Sequence, residues 1–334
     1  MVLKRIAPLI SATYLYNTPA RVSYQSGISF SIDPHLDIYG FGSEDFTLEI
    51  FILGKNDEKL FEHIFSFSNL EEEVRTDPNI LGVWKKNEAG YFYIKIQFSE
   101  ALPSAQKIKT VIYSFSTSEV KEQVFPIEVQ KIAGEVTDFS GTPIERGAVL
   151  VFGDAFEIVS AAEVKNGHFS LLVPNRVYNA ISVKYFQNKR IAKPLEAWCW
   201  NLNVKNNLDT RLKFRIGNLS FANLNVWENN GGASVLFIYF RVFLNENLLD
   251  LDLEALNAEI TLGTRPLKII SIQKLYEYAG STLGDLPAVL MQVGRPANLT
   301  EEENLLKIVM KSRDHSLKGE CSYYWRKIPL GALS

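Results

Sequence analysis

The chain reads as an all-β protein built from three consecutive β-sandwich domains, and three observations predict this. Aromatic and β-branched residues recur at every second position over many short segments, the period of a half-buried strand rather than a helix. Turn-forming residues separate those segments, most plainly Asn166-Gly167, where a two-residue type I′ turn needs positive φ at both positions. The length of 334 residues fits three small domains at roughly 100 to 150 residues each, and a 46% hydrophobic content supplies apolar area for several separate cores.

The first domain is placed at residues 1–130. Its strands read RVSYQSGISFSI, DFTLEIFIL, LFEHIFSF, GYFYIKIQF and KIKTVIYSFS. In GYFYIKIQF, Phe92, Ile94, Ile96 and Phe98 share one face, the core candidate, while Tyr93, Lys95 and Gln97 share the other. Alternation of this kind in a run of antiparallel strands predicts an immunoglobulin-like sandwich. From Asn69 to Leu81 the alternation stops, which predicts a helical turn or a long loop. Gly40-Phe41-Gly42 reads as a turn rather than a nucleotide-binding loop.

Residues 131–213 form the second expected domain. IAGEVTDFSGTPIERGAVLVF and AAEVKNGHFSLLVPNRVY carry strands split by glycine turns; Phe169, Leu171 and Val173 point inward together, and Pro174 ends that strand because it has no N–H for a ladder. The run Asp138-Phe139-Ser140-Gly141-Thr142-Pro143-Ile144, followed by Gly147-Ala148-Val149, resembles the link and second-strand entry of the carboxypeptidase regulatory-like domain, a prealbumin-like sandwich. The resemblance implies an architecture and a place beside other domains rather than a chemistry.

The third domain, residues 214–334, again offers strands: LSFANLNVW, ASVLFIYFRVFL, NAEITLG, LKIISIQKL, AVLMQVG, NLLKIVMKS and ECSYYWRKI. A second immunoglobulin-like sandwich is expected, with one short helix over Asp250 to Leu256 capped by Asp250 or Asp252. The nearly all-apolar ASVLFIYFRVFL predicts a central strand covered on both faces.

Charge and composition exclude several classes. A net charge of -3 provides no basic field for phosphates, so nucleic acid is not an expected partner. The N-terminal stretch is interrupted by Pro8, Ser11, Thr13 and Asn17 and does not read as a signal peptide, and nothing approaches the roughly 20 apolar residues of a membrane helix. The location is therefore read as cytoplasmic, or exported with the leader absent from this chain. Cys199 and Cys321 are too few for a disulfide-stapled scaffold and read as buried free thiols, a pair remaining open if the second and third domains bring them together.

No metallopeptidase spacing surrounds His35, His63, His168 or His315, and no G-x-S-x-G elbow or phosphate-cradling G-x-x-x-x-G-K occurs. No cofactor, metal site or catalytic residue is expected. The acidic trio Asp250, Asp252 and Glu254 and the runs Glu71 to Glu73 and Glu301 to Glu303 read as first-turn carboxylates of helices. Asn218-Leu219-Ser220 and Asn298-Leu299-Thr300 fit the glycosylation sequon. Trp198 and Trp200 lie two apart on a strand and face one side. They either fill a seam between the second and third domains or stack on sugar rings. The expected role is thus a non-catalytic binding or scaffolding module with a protein partner; the alternatives are a carbohydrate-binding accessory protein using Trp198 and Trp200, and an enzyme whose site is assembled between domains.

Overall fold

The structure, a computed structural model, describes residues 7–23, 28–42, 45–67, 81–86, 91–185, 195–204, 211–228, 235–244, 247–248, 252, 255–278, 284–296 and 305–325. It is all-β, as expected, with the strands gathered into several sheets. Two compact units emerge: Met1–Val22, Phe30–Lys131 and Leu172–Asn175 form one, and Ser23–Ser29, Ile132–Leu171 and Arg176–Ser334 the other.

The first stretch supplies β1 (Leu9–Tyr16), β2 (Pro19–Ser23), β3 (Ser29–Ile32), β4 (His35–Phe41), β5 (Phe46–Leu53), β6 (Lys59–Phe67), β7 (Leu81–Lys86), β8 (Tyr91–Gln97), β9 (Lys107–Ser114) and β10 (Val120–Pro126). Two four-stranded sheets run β1-β4-β8-β7 and β10-β9-β5-β6. If the eight strands are lettered A, B, C, C′, D, E, F and G along the chain, these orders become A-B-E-D and G-F-C-C′, the immunoglobulin-like arrangement. Leu36, Ile38, Ile94 and Ile96 of one sheet and Leu48, Ile50, Ile52 and Ile108 of the other share a single buried cluster. In β8, Phe92, Ile94 and Ile96 are buried as their alternation predicts, and Phe98 packs against the same cluster.

Gly40-Phe41-Gly42 departs from its expectation. Gly40 and Phe41 close β4, and a Cβ on Gly40 would stand 2.3 Å from the Phe92 ring and 2.6 Å from the Leu9 carbonyl. The glycine makes room for a cross-strand aromatic instead of bending the chain. β1 escapes the alternation test for another reason: its register against β4 slips between Ile10 and Ala12, and the extra residue reverses the parity of every later side chain. The loop or helical turn expected from Asn69 falls outside the described residues up to Leu81, which opens β7.

The remaining strands are β11 (Val129–Asp138), β12 (Arg146–Phe152), β13 (Ile158–Lys165), β14 (His168–Pro174), β15 (Val177–Tyr185), β16 (Leu195–Asn203), β17 (Arg211–Ile216), β18 (Leu219–Glu228), β19 (Val235–Leu244), β20 (Asn247–Leu248), β21 (Leu256–Leu262), β22 (Arg265–Pro266), β23 (Ile269–Tyr278), β24 (Asp285–Gly294), β25 (Leu305–Ser312) and β26 (Lys318–Tyr324). An 11-stranded sheet runs β17-β11-β14-β13-β12-β15-β16-β26-β25-β21-β22. A second sheet runs β18-β19-β24-β23, with β20 on β19.

The turn chemistry follows the sequence. Asn166 and Gly167 take φ of 49° and 77° and close the β13–β14 hairpin, with Lys165 opposite His168. Asp138 Oδ1 accepts from the Ser140 amide at 2.7 Å, the Ser140 hydroxyl at 2.6 Å and the Thr142 amide at 2.9 Å, which holds its carboxyl below the ordinary range.

The division expected between residues 213 and 214 falls inside β17 and inside the second unit. There the large sheet continues across it through a parallel pairing of β16 with β26 that sets Trp198 opposite Cys321, Cys199 opposite Ser322 and Trp200 opposite Tyr323. β26 also lies close on β18: a Cβ on Gly319 would stand 2.4 Å from the Leu219 carbonyl.

β19 is central, between β18 and β24, but it is not covered on both faces. Leu236, Ile238, Phe240 and Val242 are buried while Phe237, Tyr239 and Arg241 remain half-buried, because Tyr239 and Arg241 carry polar ends that need water or a partner. Of the helix expected over Asp250 to Leu256, only Asp252, Ala255 and Leu256 are described. The Ala255 amide donates to the Asp252 carbonyl at 3.2 Å and Leu256 already opens β21. Glu71 to Glu73, Glu301 to Glu303 and the Asn298 sequon lie outside the described residues. Among the described residues no helix is long and apolar enough to cross a membrane.

Candidate binding sites

Trp198 and Trp200 lie side by side on β16, their rings stacked at 5.0 Å between centroids and 18° between planes. The stack extends to Phe152, 5.3 Å from Trp198, and to Phe156, 6.0 Å from both indoles. Only 9% of Trp198 and 6% of Trp200 is exposed. Trp198 Nε1 donates to Glu196 at 3.0 Å, and Trp200 Nε1 donates to the Phe221 carbonyl at 3.2 Å, which ties β16 to β18. The indole faces are therefore occupied by neighbouring rings, and neither offers a bare platform to a sugar.

Phe156 caps this stack and is 44% exposed. It sits in the β12–β13 turn with φ of 64°, a left-handed conformation that a side-chain-bearing residue adopts at a cost of about 1 kcal/mol or more. The ring borders a groove of about 310 Å³ that Trp200 and Asn179 also line. Asn223 and Asn225 of β18 line it too; Asn223 has φ of 55° where the β18–β19 register slips between Ala222 and Asn225, and the slip brings both amides to the rim.

Tyr239 and Arg241 of β19 and Glu277 of β23 complete the groove. The Tyr239 hydroxyl and the Arg241 guanidinium both donate to Glu277 Oε2. Burial, then the bond to Glu277, pushes the phenol up to about 12, and the Tyr239 bond in turn holds the Glu277 carboxyl below its ordinary value. At neutral pH the phenol is protonated and the charges of Arg241 and Glu277 cancel. Among the described residues Arg241 Nε is buried with no hydrogen-bond partner, an N–H left over after the carboxylate is satisfied. The sequence reading missed this constellation because its members come from five strands and one turn. The two polar residues inside the apolar run of β19 were its sole local signal.

A different surface lies along β23. Among the described residues it ends its sheet, none of its ten residues is buried, and Ile270, Tyr276 and Tyr278 are exposed. Such an edge presents backbone donors and acceptors to an incoming strand.

The histidines stand apart. His35 is buried, stacked on Tyr16 at 4.3 Å, and its Nδ1 donates to the Asp33 carbonyl at 3.0 Å; His63 packs on Phe65 at 4.4 Å; His168 is exposed at its hairpin; His315 occupies a turn with φ of 60°. Among the described residues no three His, Cys, Asp or Glu side chains converge to hold a metal ion. Cys199 and Cys321 are free and buried, and burial pushes both thiols up. Their pairing register explains why they stay apart on adjacent strands: Cys321 shares a face with Trp198, Cys199 with Ser322, and successive residues alternate faces. The Asn218 amide is engaged at both ends, donating to the Ser316 carbonyl at 2.8 Å and accepting from the Lys318 amide at 2.9 Å.

No family model and no curated protein matches the chain. Among solved structures, the chain is similar to the crystal structure of bovine butyrophilin, at 6% identity and a TM-score of 0.21, over 95% of this chain and 100% of that one.

Proposed function

We propose that this protein is a non-catalytic binding and scaffolding protein that engages a protein partner by strand addition at β23. The observation that carries the reading is an end strand ten residues long with no buried residue and with Ile270, Tyr276 and Tyr278 turned to solvent. Main-chain pairing supplies the affinity of such a contact, and alternate side chains supply its selectivity. The Asp138 turn and the Asn166-Gly167 hairpin support reading residues 131–213 as a carboxypeptidase regulatory-like domain in the same non-catalytic setting.

The test is capture from native lysate with the full chain and with a Tyr276→Lys, Tyr278→Lys double variant, since edge lysines block strand pairing. Wild type retains a discrete protein that the variant loses at unchanged melting temperature. A wild type that retains nothing, or a variant that retains the same protein, overturns the proposal.

A further inference from the structure

We infer that the groove bounded by Phe156, Asn223, Asn225, Tyr239, Arg241 and Glu277 binds a neutral saccharide unit, a site that takes Glu277 from β23 but differs in its chemistry from strand addition along that strand's edge. Size limits the occupant first. Ligand sites run from about 300 to 1,000 Å³, and at about 310 Å³ this one suits a single ring or a short unit rather than an extended chain.

Charge decides against an anion. The Arg241 guanidinium already shares an oxygen of Glu277 with the Tyr239 hydroxyl, so an incoming carboxylate or phosphate meets a neutral pair and the repulsion of Glu277. A neutral ligand loses nothing by this. The rim is built for groups that donate and accept from the same atom. Asn223 offers its amide oxygen and NH₂, Asn225 its amide oxygen and the amide hydrogen not given to the Asn223 carbonyl at 3.2 Å, and Glu277 its second oxygen as an acceptor. Vicinal hydroxyls match that mixture, whereas an apolar ligand would cover these groups and leave them unpaired. Phe156 supplies the remaining element. Phe156 is 44% exposed and its ring stacks on Trp198 and Trp200, so it offers an apolar surface for the C–H face of a pyranose without exposing the indoles. The left-handed φ that places it there is backbone strain at the point of contact.

Titration calorimetry of the full chain against gluco-, galacto-, manno- and xylo-oligosaccharides, with oligogalacturonate as the anionic comparison, tests the inference. At least one neutral oligosaccharide binds saturably. Phe156→Gly and Asn223→Gly each weaken that binding about three- to tenfold, the worth of one stacking contact or one hydrogen bond. Glycine accepts positive φ at both positions, so Asn223→Gly melts as wild type does even if loss of the Phe156 ring loosens the aromatic stack. Absence of binding to every neutral member, preference for oligogalacturonate, or undiminished binding in both variants overturns it.

Discussion

Asp314 occupies the turn between β25 and β26, where it accepts from the Ser312 hydroxyl, the Ser316 amide at 3.0 Å and the Ser316 hydroxyl at 2.8 Å. These bonds, the Ser312 hydroxyl foremost, hold its carboxyl down to about 2 from an ordinary 3.8. A carboxyl lowered by folding stabilises the native state above its unfolded pKa, and the contribution is lost as pH falls through the folded value, here between about pH 4 and pH 2. Carbon-detected NMR titration of the Asp314 carboxyl therefore gives a midpoint near 2, and the melting temperatures of wild type and Asp314→Asn converge as pH drops through that window. A midpoint near 3.8 contradicts the turn geometry. At this scale much was legible: Asn166-Gly167 announced its turn because two positive φ values demand those residue types. Phe156 announced nothing, since a phenylalanine held in the left-handed region has no local motif.

At the scale of elements, β26 lies close against β18. A Cβ on Gly319 would approach the Leu219 carbonyl to 2.4 Å, a backbone atom that cannot rotate away, so Gly319→Ala destabilises the protein by about 1 to 3 kcal/mol in chemical denaturation. Gly294→Ala, whose new methyl would find only the Lys268 carbonyl at 3.8 Å, changes stability by no more than about 0.5 kcal/mol. Equal effects in the two variants would mean that β26 does not sit on β18 as described. Buried charge at the same place is compensated: Glu320 accepts from Arg215 Nε at 2.6 Å and pairs with Lys307 at 3.1 Å. The alternation in β8 revealed its core face directly, whereas β1 hid behind a bulge. β19 looked doubly buried because its polar pair is short against its apolar run.

For the whole molecule the decisive feature is that one sheet runs through the division expected at residues 213 and 214. A fragment of residues 132–216 leaves the edge of β16 without β26 and bares the side of Trp200 that β18 covers, so it is expected to aggregate or to lack a cooperative thermal transition, while residues 132–334 retain one. A soluble, cooperatively melting 132–216 fragment would refute that dependence. The sequence by itself determined the all-β class, most strand faces and the main turns. These follow from period-two burial and from φ requirements local to a few residues. The tertiary structure alone decided that β16 pairs with β26, that the two cysteines face apart, and that Phe156, Asn223, Tyr239, Arg241 and Glu277 surround one groove. Pairing between strands more than a hundred residues apart depends on edges and backbone hydrogen bonds, which leave no periodic trace in the order of side chains.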